Sequence, residues 1–398
     1  LGKITDENPS RKRNLIFAVV INLLILGFFK YWGFFLDTIS GVTGLKLTYP
    51  QLALPIGLSF YTFKNLSYIL DIYMGKTEPC KGFFPYAVYS TMFPHMTAGP
   101  IVRYTDISES ISRRSINTTR LGAGAELFIK GLSKKVLLAD NLSALYTTLQ
   151  ASGTTSFVGT WLAIGAYTLE LYFDFSGYSD MAIGLGQMLG FNFNKNFDYP
   201  YISTSVSEFW RRWHISLGSW FRDYIYIPLG GNRVSTGRHI RNILVVWALT
   251  GLWHGASWNF VFWGVYYGLL LLAEKFLLGR FLEKAPVWLR NLYTMFAVII
   301  GWVFFSQTTP AAIGKMLGAM FGLGASCFTD RASLYALKSG LILMIISVIS
   351  CRPGLYQYFK RLARRNTYLA AVINAILFFL CIAYMIYSSY TPFMYQQF

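Results

Sequence analysis

The chain has 398 residues, of which 54% are hydrophobic, 18% aromatic and only 13% charged. A typical soluble domain carries about 25% charged residues, so the composition excludes an ordinary soluble enzyme and indicates a polytopic integral membrane protein. Long apolar runs without an alternating pattern predict spans that are helices. The predicted fold class is therefore all-α.

The formal net charge of +17 would suggest nucleic-acid binding in a soluble protein. Here the cations form short clusters between apolar segments, at residues 10–13, 112–114, 134–135 and 361–365. Membrane lipids with anionic headgroups and the positive-inside rule account for such clusters. Membrane lipids are therefore predicted partners, and nucleic acid is not.

The first half of the chain contains one continuous apolar run and several interrupted ones. Leu15 to about Leu36 is long enough to span a bilayer. Residues 52–70 and 83–101 are apolar but contain prolines and polar residues, a pattern typical of re-entrant or cavity-lining segments. Residues 121–149 predict an amphipathic helix along the membrane surface.

The second half predicts further spans around a polar centre. Residues 156–191 are long enough for a span and a turn, and residues 192–207 predict a surface loop. The apolar residues of 209–220 repeat at helical spacing, which predicts one short re-entrant helix. Residues 242–272 predict two helices with a break near 255–259. Further spans are predicted at 292–305, 336–350 and 368–387, within one domain that covers residues 1–398.

Residues 170–264 are the predicted catalytic core. Charged groups are costly at membrane depth, and where they occur they usually face a protein interior or a cavity and have a function. The acidic, basic and histidine residues considered in this stretch are Glu170, Asp174, Asp180, Arg211, Arg212, His214, Arg222, Asp223 and His254.

His254 is the first candidate catalytic residue, because imidazole is the usual general base near neutral pH. It would take a proton from a hydroxyl group that attacks an acyl thioester. If the helix continues past His254, Ser257 and Trp258 share its face and are candidate binding residues. The alternative is a structural histidine that is hydrogen-bonded to another helix.

His214 is the second candidate, and Arg211 and Arg212 precede it. Arginines bind phosphate groups through paired hydrogen bonds, so these two can hold the pyrophosphate of coenzyme A or, alternatively, meet lipid phosphate. Glu170, Asp174 and Tyr178 are spaced four residues apart on one predicted helix face, where they can bind hydroxyls or orient a histidine.

Asp174, Tyr178 and the nearby Asp180 are candidates for binding donor or acceptor hydroxyls. The alternative is a structural role for the acidic residues, as partners of Arg211, Arg212 or Arg222. The four cysteines are far apart, so neither a disulfide framework nor a metal site is predicted.

Six phrases occur in a fixed order along the chain, and together they are far more specific than any one alone. The chain thereby resembles the membrane-bound O-acyltransferase (MBOAT) family, and within it the branch that acetylates bacterial alginate and related polysaccharides. The resemblance covers about residues 10–390. The phrases are Pro55–Phe63, Phe93–Arg103, Asp174–Asp180, Phe209–Leu217, Trp220–Arg233 and Leu252–Gly255.

The resemblance implies a many-helix fold with re-entrant segments around a funnel or tunnel in the bacterial cytoplasmic membrane. It implies transfer of an acetyl group towards an extracytoplasmic polysaccharide or cell-wall polymer, directly or through an SGNH-type partner protein. The donor would be a cytoplasmic thioester, expected to be acetyl-CoA, with no bound cofactor. The two signature histidines of the family match His254 and His214.

Two rival functions stay open: D-alanyl transfer to teichoic acid, as in a sister branch of the family, and transport without covalent chemistry. Members of the family begin with additional apolar segments before the equivalent of Asn14, so we expect a truncated N-terminus. Lys64 stands where the resemblance predicts glutamine, and no role is assigned to it.

Overall fold

The computed structural model describes residues 9–50, 52–151, 153, 156–387 and 393. Within these residues every regular element is a helix, which confirms the all-α prediction. The helices of the first half are α1 (Pro9–Leu26), α2 (Trp32–Thr43), α3 (Leu58–Tyr73), α4 (Phe83–Thr91), α5 (Tyr104–Ser112), α6 (Thr118–Ser133), α7 (Asp140–Ala151) and α8 (Phe157–Met188).

The second half begins with two short helices, and longer ones follow. Short π-helical turns join α1 to α2, α6 to α7 and α12 to α13. The helices are α9 (Val206–Arg212), α10 (Ile215–Phe221), α11 (Thr236–His254), α12 (Trp258–Ala273), α13 (Gly279–Lys284), α14 (Val287–Ser306), α15 (Pro310–Met320), α16 (Arg331–Ser350), α17 (Pro353–Arg365) and α18 (Thr367–Tyr387).

Among the described residues, five helical stretches are long and apolar enough to cross a bilayer. Four of them contain the spans predicted at Leu15–Leu36, 292–305, 336–350 and 368–387. The break predicted near 255–259 is also present, because α11 ends at His254 and α12 begins at Trp258. The five stretches are Ser10–Thr43, Trp258–Lys284, Val287–Ser306, Arg331–Ser350 and Thr367–Tyr387.

Helix α8 is the centre of the fold, with 32 residues and contacts to α6, α7, α14, α15 and α16. Glycines allow its close approach to α6. A Cβ added to Gly131 would lie 2.5 Å from the carbonyl oxygen of Gly177, and one added to Gly184 would lie 2.6 Å from that of Gly124. Small residues permit this kind of backbone contact between membrane helices. Residues 121–149 are thus helical as predicted, but one face packs on α8.

Several helices begin where the sequence supplies a side chain that caps them. Ser156 accepts a hydrogen bond from the backbone N–H of Gly159 at the start of α8, at 3.2 Å. Ser205 does the same for Glu208 at the start of α9, at 3.0 Å. Each bond satisfies one of the backbone donors that a helix leaves open at its first turn.

Candidate active site

A cavity of about 330 Å³ lies where the end of α11 meets the start of α3. His254 and Trp253 form one side of it, and Lys30 reaches it from the turn that joins α1 to α2. Thr97 and the stretch 54–60 complete the lining. A histidine, a lysine and hydroxyl groups therefore face a common space within a largely apolar wall.

His254 is the last residue of α11 and is only 6% exposed. Aromatic rings hold its imidazole: the ring centroids of Trp263, Trp253 and Phe305 lie 4.9, 5.1 and 5.3 Å away. All three contacts are edge-to-face or nearly so, a favoured geometry for such pairs. The ring orientation is thus determined by packing on several sides.

Lys30 caps the carboxyl end of α11 at this position. Its ammonium group donates to the carbonyl oxygen of Trp253 at 2.6 Å, and the hydroxyl of Tyr31 donates to that of Leu252 at 2.7 Å. A helix leaves its last carbonyl groups without internal partners, and cations are favourable there. The first apolar stretch of the chain therefore positions the residue beside the cavity.

His214 lies in a break between α9 and α10, which corrects the prediction of one continuous helix over 209–220. Trp213 has an extended backbone, and His214 has φ +45° and ψ +54°. This left-handed conformation is uncommon for a residue other than glycine. Spacing alone predicted a continuous apolar stripe, because the residues on both sides of the break pack inward.

Asn196 stabilises this break and orients the His214 ring. Its backbone carbonyl accepts from the N–H of Ile215 at 2.9 Å. Its side-chain oxygen accepts from the backbone N–H of Ser216 at 3.2 Å and lies 3.2 Å from Nδ1 of His214. Since a backbone N–H can only donate, the atom facing it must be the amide oxygen.

The orientation of Asn196 determines the tautomer of His214. Because the amide oxygen accepts, Nδ1 of His214 must carry the proton that it donates to it. In the neutral ring the lone pair then lies on Nε2. The hydrogen-bond pattern thereby presents one defined nitrogen as the acceptor or base.

Trp253 contacts both histidines. Its ring centroid is 5.1 Å from that of His254 and 5.8 Å from that of His214. The structure thus brings residues from two distant segments to one aromatic cluster. His254 lines the cavity, whereas His214 is not among the residues that line it. Their catalytic roles stay predictions.

The two arginines before His214 differ in their surroundings. Arg211 is exposed. Arg212 forms an ion pair with Glu208 at 2.9 Å and donates to the backbone carbonyl of Asp198 at 3.1 Å. Arg212 therefore supports the loop that carries His214, and Arg211 is the one open to a ligand.

The acidic residues of α8 pair with lysines, where the sequence suggested arginines. Asp180 binds Lys134 at 2.8 Å and Lys130 at 3.1 Å, and Asp174 binds Lys135 at 2.7 Å. The helix that supplies these lysines packs along α8, an arrangement that spacing in the sequence cannot show. A role in ligand binding stays a prediction for both aspartates.

The hydroxyl of Tyr178 reaches the wall of the cavity at Thr97. It lies 3.0 Å from the hydroxyl of Thr97, which lines the cavity with His254. Tyr178 thus contacts the cavity wall through one intervening side chain.

Ser257 and Trp258 do not share a helix face with His254, so that prediction is wrong. Helix α11 ends at His254, and Ser257 precedes the first residue of α12. The hydroxyl of Ser257 donates to the side chain of Asn259. Trp258 is 47% exposed, and its ring packs 5.6 Å from that of Phe34.

A second polar pair near the cavity was not assigned by the sequence. Lys64 is fully buried, and its ammonium group donates to the carbonyl oxygen of Ser90 at 2.6 Å and lies 3.2 Å from Nδ1 of His95. Both bonds fix the segment that leads to Thr97. The apolar run around Lys64 was the available signal, because a lysine there must find a buried partner.

Comparison with known proteins identifies the family. The membrane-bound O-acyltransferase family model matches residues 80–313. The probable alginate O-acetylase AlgI of Azotobacter vinelandii is 41% identical over 372 residues, which are 91% of this chain and 73% of the relative.

Two more distant relatives carry other names. The peptidoglycan O-acetyltransferase of Helicobacter pylori is 33% identical over 350 residues, 80% of this chain and 66% of that protein. The teichoic acid D-alanyltransferase of Bacillus subtilis is 26% identical over 277 residues, 65% of this chain and 67% of that protein. Since the family model covers more than half of the chain and the alginate O-acetylase matches 91% of it, the chain belongs to the membrane-bound O-acyltransferase family.

Proposed function

We propose that this chain moves an acetyl group from a thioester donor towards hydroxyl groups of an extracytoplasmic polysaccharide or cell-wall polymer. The observation that carries the proposal is the position of His254 in the wall of a cavity, inside the region that matches the family. The relatives named as alginate O-acetylase and peptidoglycan O-acetyltransferase support acetyl as the group transferred.

The chemistry requires a base beside the thioester. The attacking hydroxyl oxygen forms a bond to the thioester carbonyl carbon while the carbon–sulfur bond breaks. The ring of His254 takes the hydroxyl proton and returns it to the leaving sulfur, so that a thiol departs. General acid–base catalysis of this kind contributes about 10²–10⁴-fold to a rate.

His214 has a supporting role in this proposal. With Nδ1 held by Asn196, its Nε2 is presented as an acceptor. It would orient the thioester or stabilise charge as the carbonyl carbon is attacked. Arg211, which is exposed near this loop, is the candidate for binding a phosphate of the donor.

The donor is proposed to be acetyl-CoA on the cytoplasmic side of a bacterial plasma membrane that the chain crosses several times. An extracytoplasmic SGNH-type protein is the proposed partner where the final acceptor is a polymer. The five stretches able to span a bilayer support the membrane arrangement. D-alanyl transfer is the second candidate, favoured only by the more distant relative.

The test is transfer of label by the full chain in proteoliposomes. Radiolabelled acetyl-CoA is supplied on one side, and cell-envelope polymer with an SGNH-type partner on the other. We expect labelled acetyl groups on the polymer or partner. Label only from a D-alanyl thioester would establish the sister reaction, and movement of a solute without any covalent product would establish a transporter.

A further inference from the structure

Helix α17 lies at one face of the membrane. It joins α16 and α18, and both of these are long and apolar enough to span a bilayer. Because two consecutive antiparallel spans are joined at one face, both ends of α17 must be at that face. None of its 13 residues is buried, and it contains four cations and no acidic residue.

A crevice separates α17 from the rest of the fold. It has a volume of about 300 Å³ and lies between α6, α17 and α18. Leu355, Phe359 and Leu362 line it from α17, and Ile373 and Leu377 line it from α18. The apolar face of α17 therefore borders an apolar space.

Cations gather at one side of this crevice, around Tyr356. The ammonium groups of Lys130 and Lys360 lie 4.2 and 4.9 Å from the centroid of the Tyr356 ring. Lys134 and Arg352 also line the crevice.

The acidic groups nearby do not balance these charges. Asp180 binds both Lys130 and Lys134, and Glu126 is the acidic residue that lines the crevice among the described residues. Four cations therefore face two carboxylates, which leaves an excess of positive charge beside an apolar space.

We propose that this crevice binds an anionic phospholipid, with an acyl chain between α17 and α18 and the phosphate at Lys360 and Arg352. Cationic side chains at a membrane surface attract anionic headgroups, and buried methylene groups add the hydrophobic contribution. A soluble anion would use the cations alone and would leave the apolar part of the crevice unexplained. The lipid site is independent of the proposed acetyl transfer.

The test measures binding of dioleoylphosphatidylglycerol to the full chain in detergent, by native mass spectrometry and by the thermal-unfolding midpoint. We expect tighter binding than for dioleoylphosphatidylcholine, since that lipid has no net charge. Lys360→Gln should weaken binding by about five-fold, and Lys315→Gln, an exposed lysine on α15, should leave it unchanged.

A second variant tests the contribution of the acyl chain to binding separately from that of the headgroup. Ala370 lines the crevice from α18, so Ala370→Phe would fill the space and leave every cation in place. We expect the affinity for dioleoylphosphatidylglycerol to fall at least ten-fold. Equal binding of both lipids, unchanged binding in Ala370→Phe, or displacement by inorganic phosphate or coenzyme A would overturn the proposal.

Discussion

Asn196 is a positioning residue whose effect can be measured separately from folding. Its amide oxygen receives hydrogen bonds from Ser216 and from His214. Asn196→Ala removes the acceptor that fixes the tautomer of His214, so we expect kcat for acetyl transfer to fall by about 10–100-fold, a fraction of what general acid–base catalysis contributes. KM for the donor should change little, because no donor-binding group is removed.

The control for this variant is Asn194→Ala. Asn194 is two residues away and exposed, so its replacement should leave kcat unchanged. A folded Asn196→Ala protein with full kcat would show that the His214 tautomer has no part in the reaction.

At the residue scale, the sequence predicted His254 and His214 as the candidate histidines of one core, but not the residues that orient them. Asn196 binds the ring of His214 through its side chain, and Lys30 binds the backbone carbonyl of Trp253, so both contacts join segments that come together only in the folded chain. Spacing along the sequence cannot predict such tertiary contacts. Ser257 and Trp258 were misplaced for a related reason, since the prediction assumed that the helix continued beyond His254.

The close packing of α6 on α8 predicts that one methyl group added at Gly131 lowers the stability of the protein. Gly131→Ala would place a Cβ 2.5 Å from the carbonyl oxygen of Gly177, so the two helices must separate. We expect a cost of about 1–3 kcal/mol, typical of overpacking, which thermal unfolding in detergent would detect as a lower midpoint.

Gly122→Ala is the matched control on the same helix. A Cβ there meets no atom within 4 Å, and alanine is the better helix former by up to about 1 kcal/mol. Its midpoint should stay the same or rise. An equal loss of stability in both variants would contradict close packing at Gly131.

Glu274 joins α12 to the helix that precedes His214. Its buried carboxylate accepts from the backbone N–H groups of Val206 at 2.5 Å and Ser207 at 2.9 Å, both in the first turn of α9. A negative charge is favourable at that end of a helix, and Glu274→Ala leaves two donors without this acceptor.

The expected loss for Glu274→Ala is about 1–3 kcal/mol for each donor that stays buried and unpaired, with reduced transfer as the His214 loop loosens. Chemical unfolding and the transfer assay would measure both effects. Glu283→Ala is the control, since Glu283 is exposed on α13. Normal stability in Glu274→Ala would show that water or another group replaces the carboxylate.

At the element scale, hydropathy correctly predicted the positions of four long apolar helices and the break after His254. The prediction of one continuous helix over 209–220 was wrong. Aromatic residues on both sides of the break face inward, so their spacing in the sequence is the same as in an unbroken helix. Helix α8 is long enough to span a bilayer but is not among the five sufficiently apolar stretches, because it contains Glu170, Asp174 and Asp180. Lys130 and Lys134 pair with Asp180, and Lys135 pairs with Asp174, which explains how these two charges are tolerated in a buried helix.

For the whole molecule, the family and the class of reaction could be predicted from the sequence, because six phrases keep their order along the chain. The arrangement of the helices around α8 could not, since it depends on contacts between distant segments. The same holds for the cavity at His254, which four separate segments line.

The most direct test of the proposed role of His254 compares two histidine replacements on α11. His254→Gln removes the proposed base at the cavity, whereas His239→Gln changes a histidine that contacts Tyr226 at 3.0 Å, at the other end of the helix. Acetyl transfer from labelled acetyl-CoA is measured in proteoliposomes for both variants, with unfolding midpoints recorded alongside. We predict a loss of at least about 10²-fold for His254→Gln and near-normal transfer for His239→Gln. Full transfer by a folded His254→Gln protein would contradict the proposal that His254 is the base in acetyl transfer.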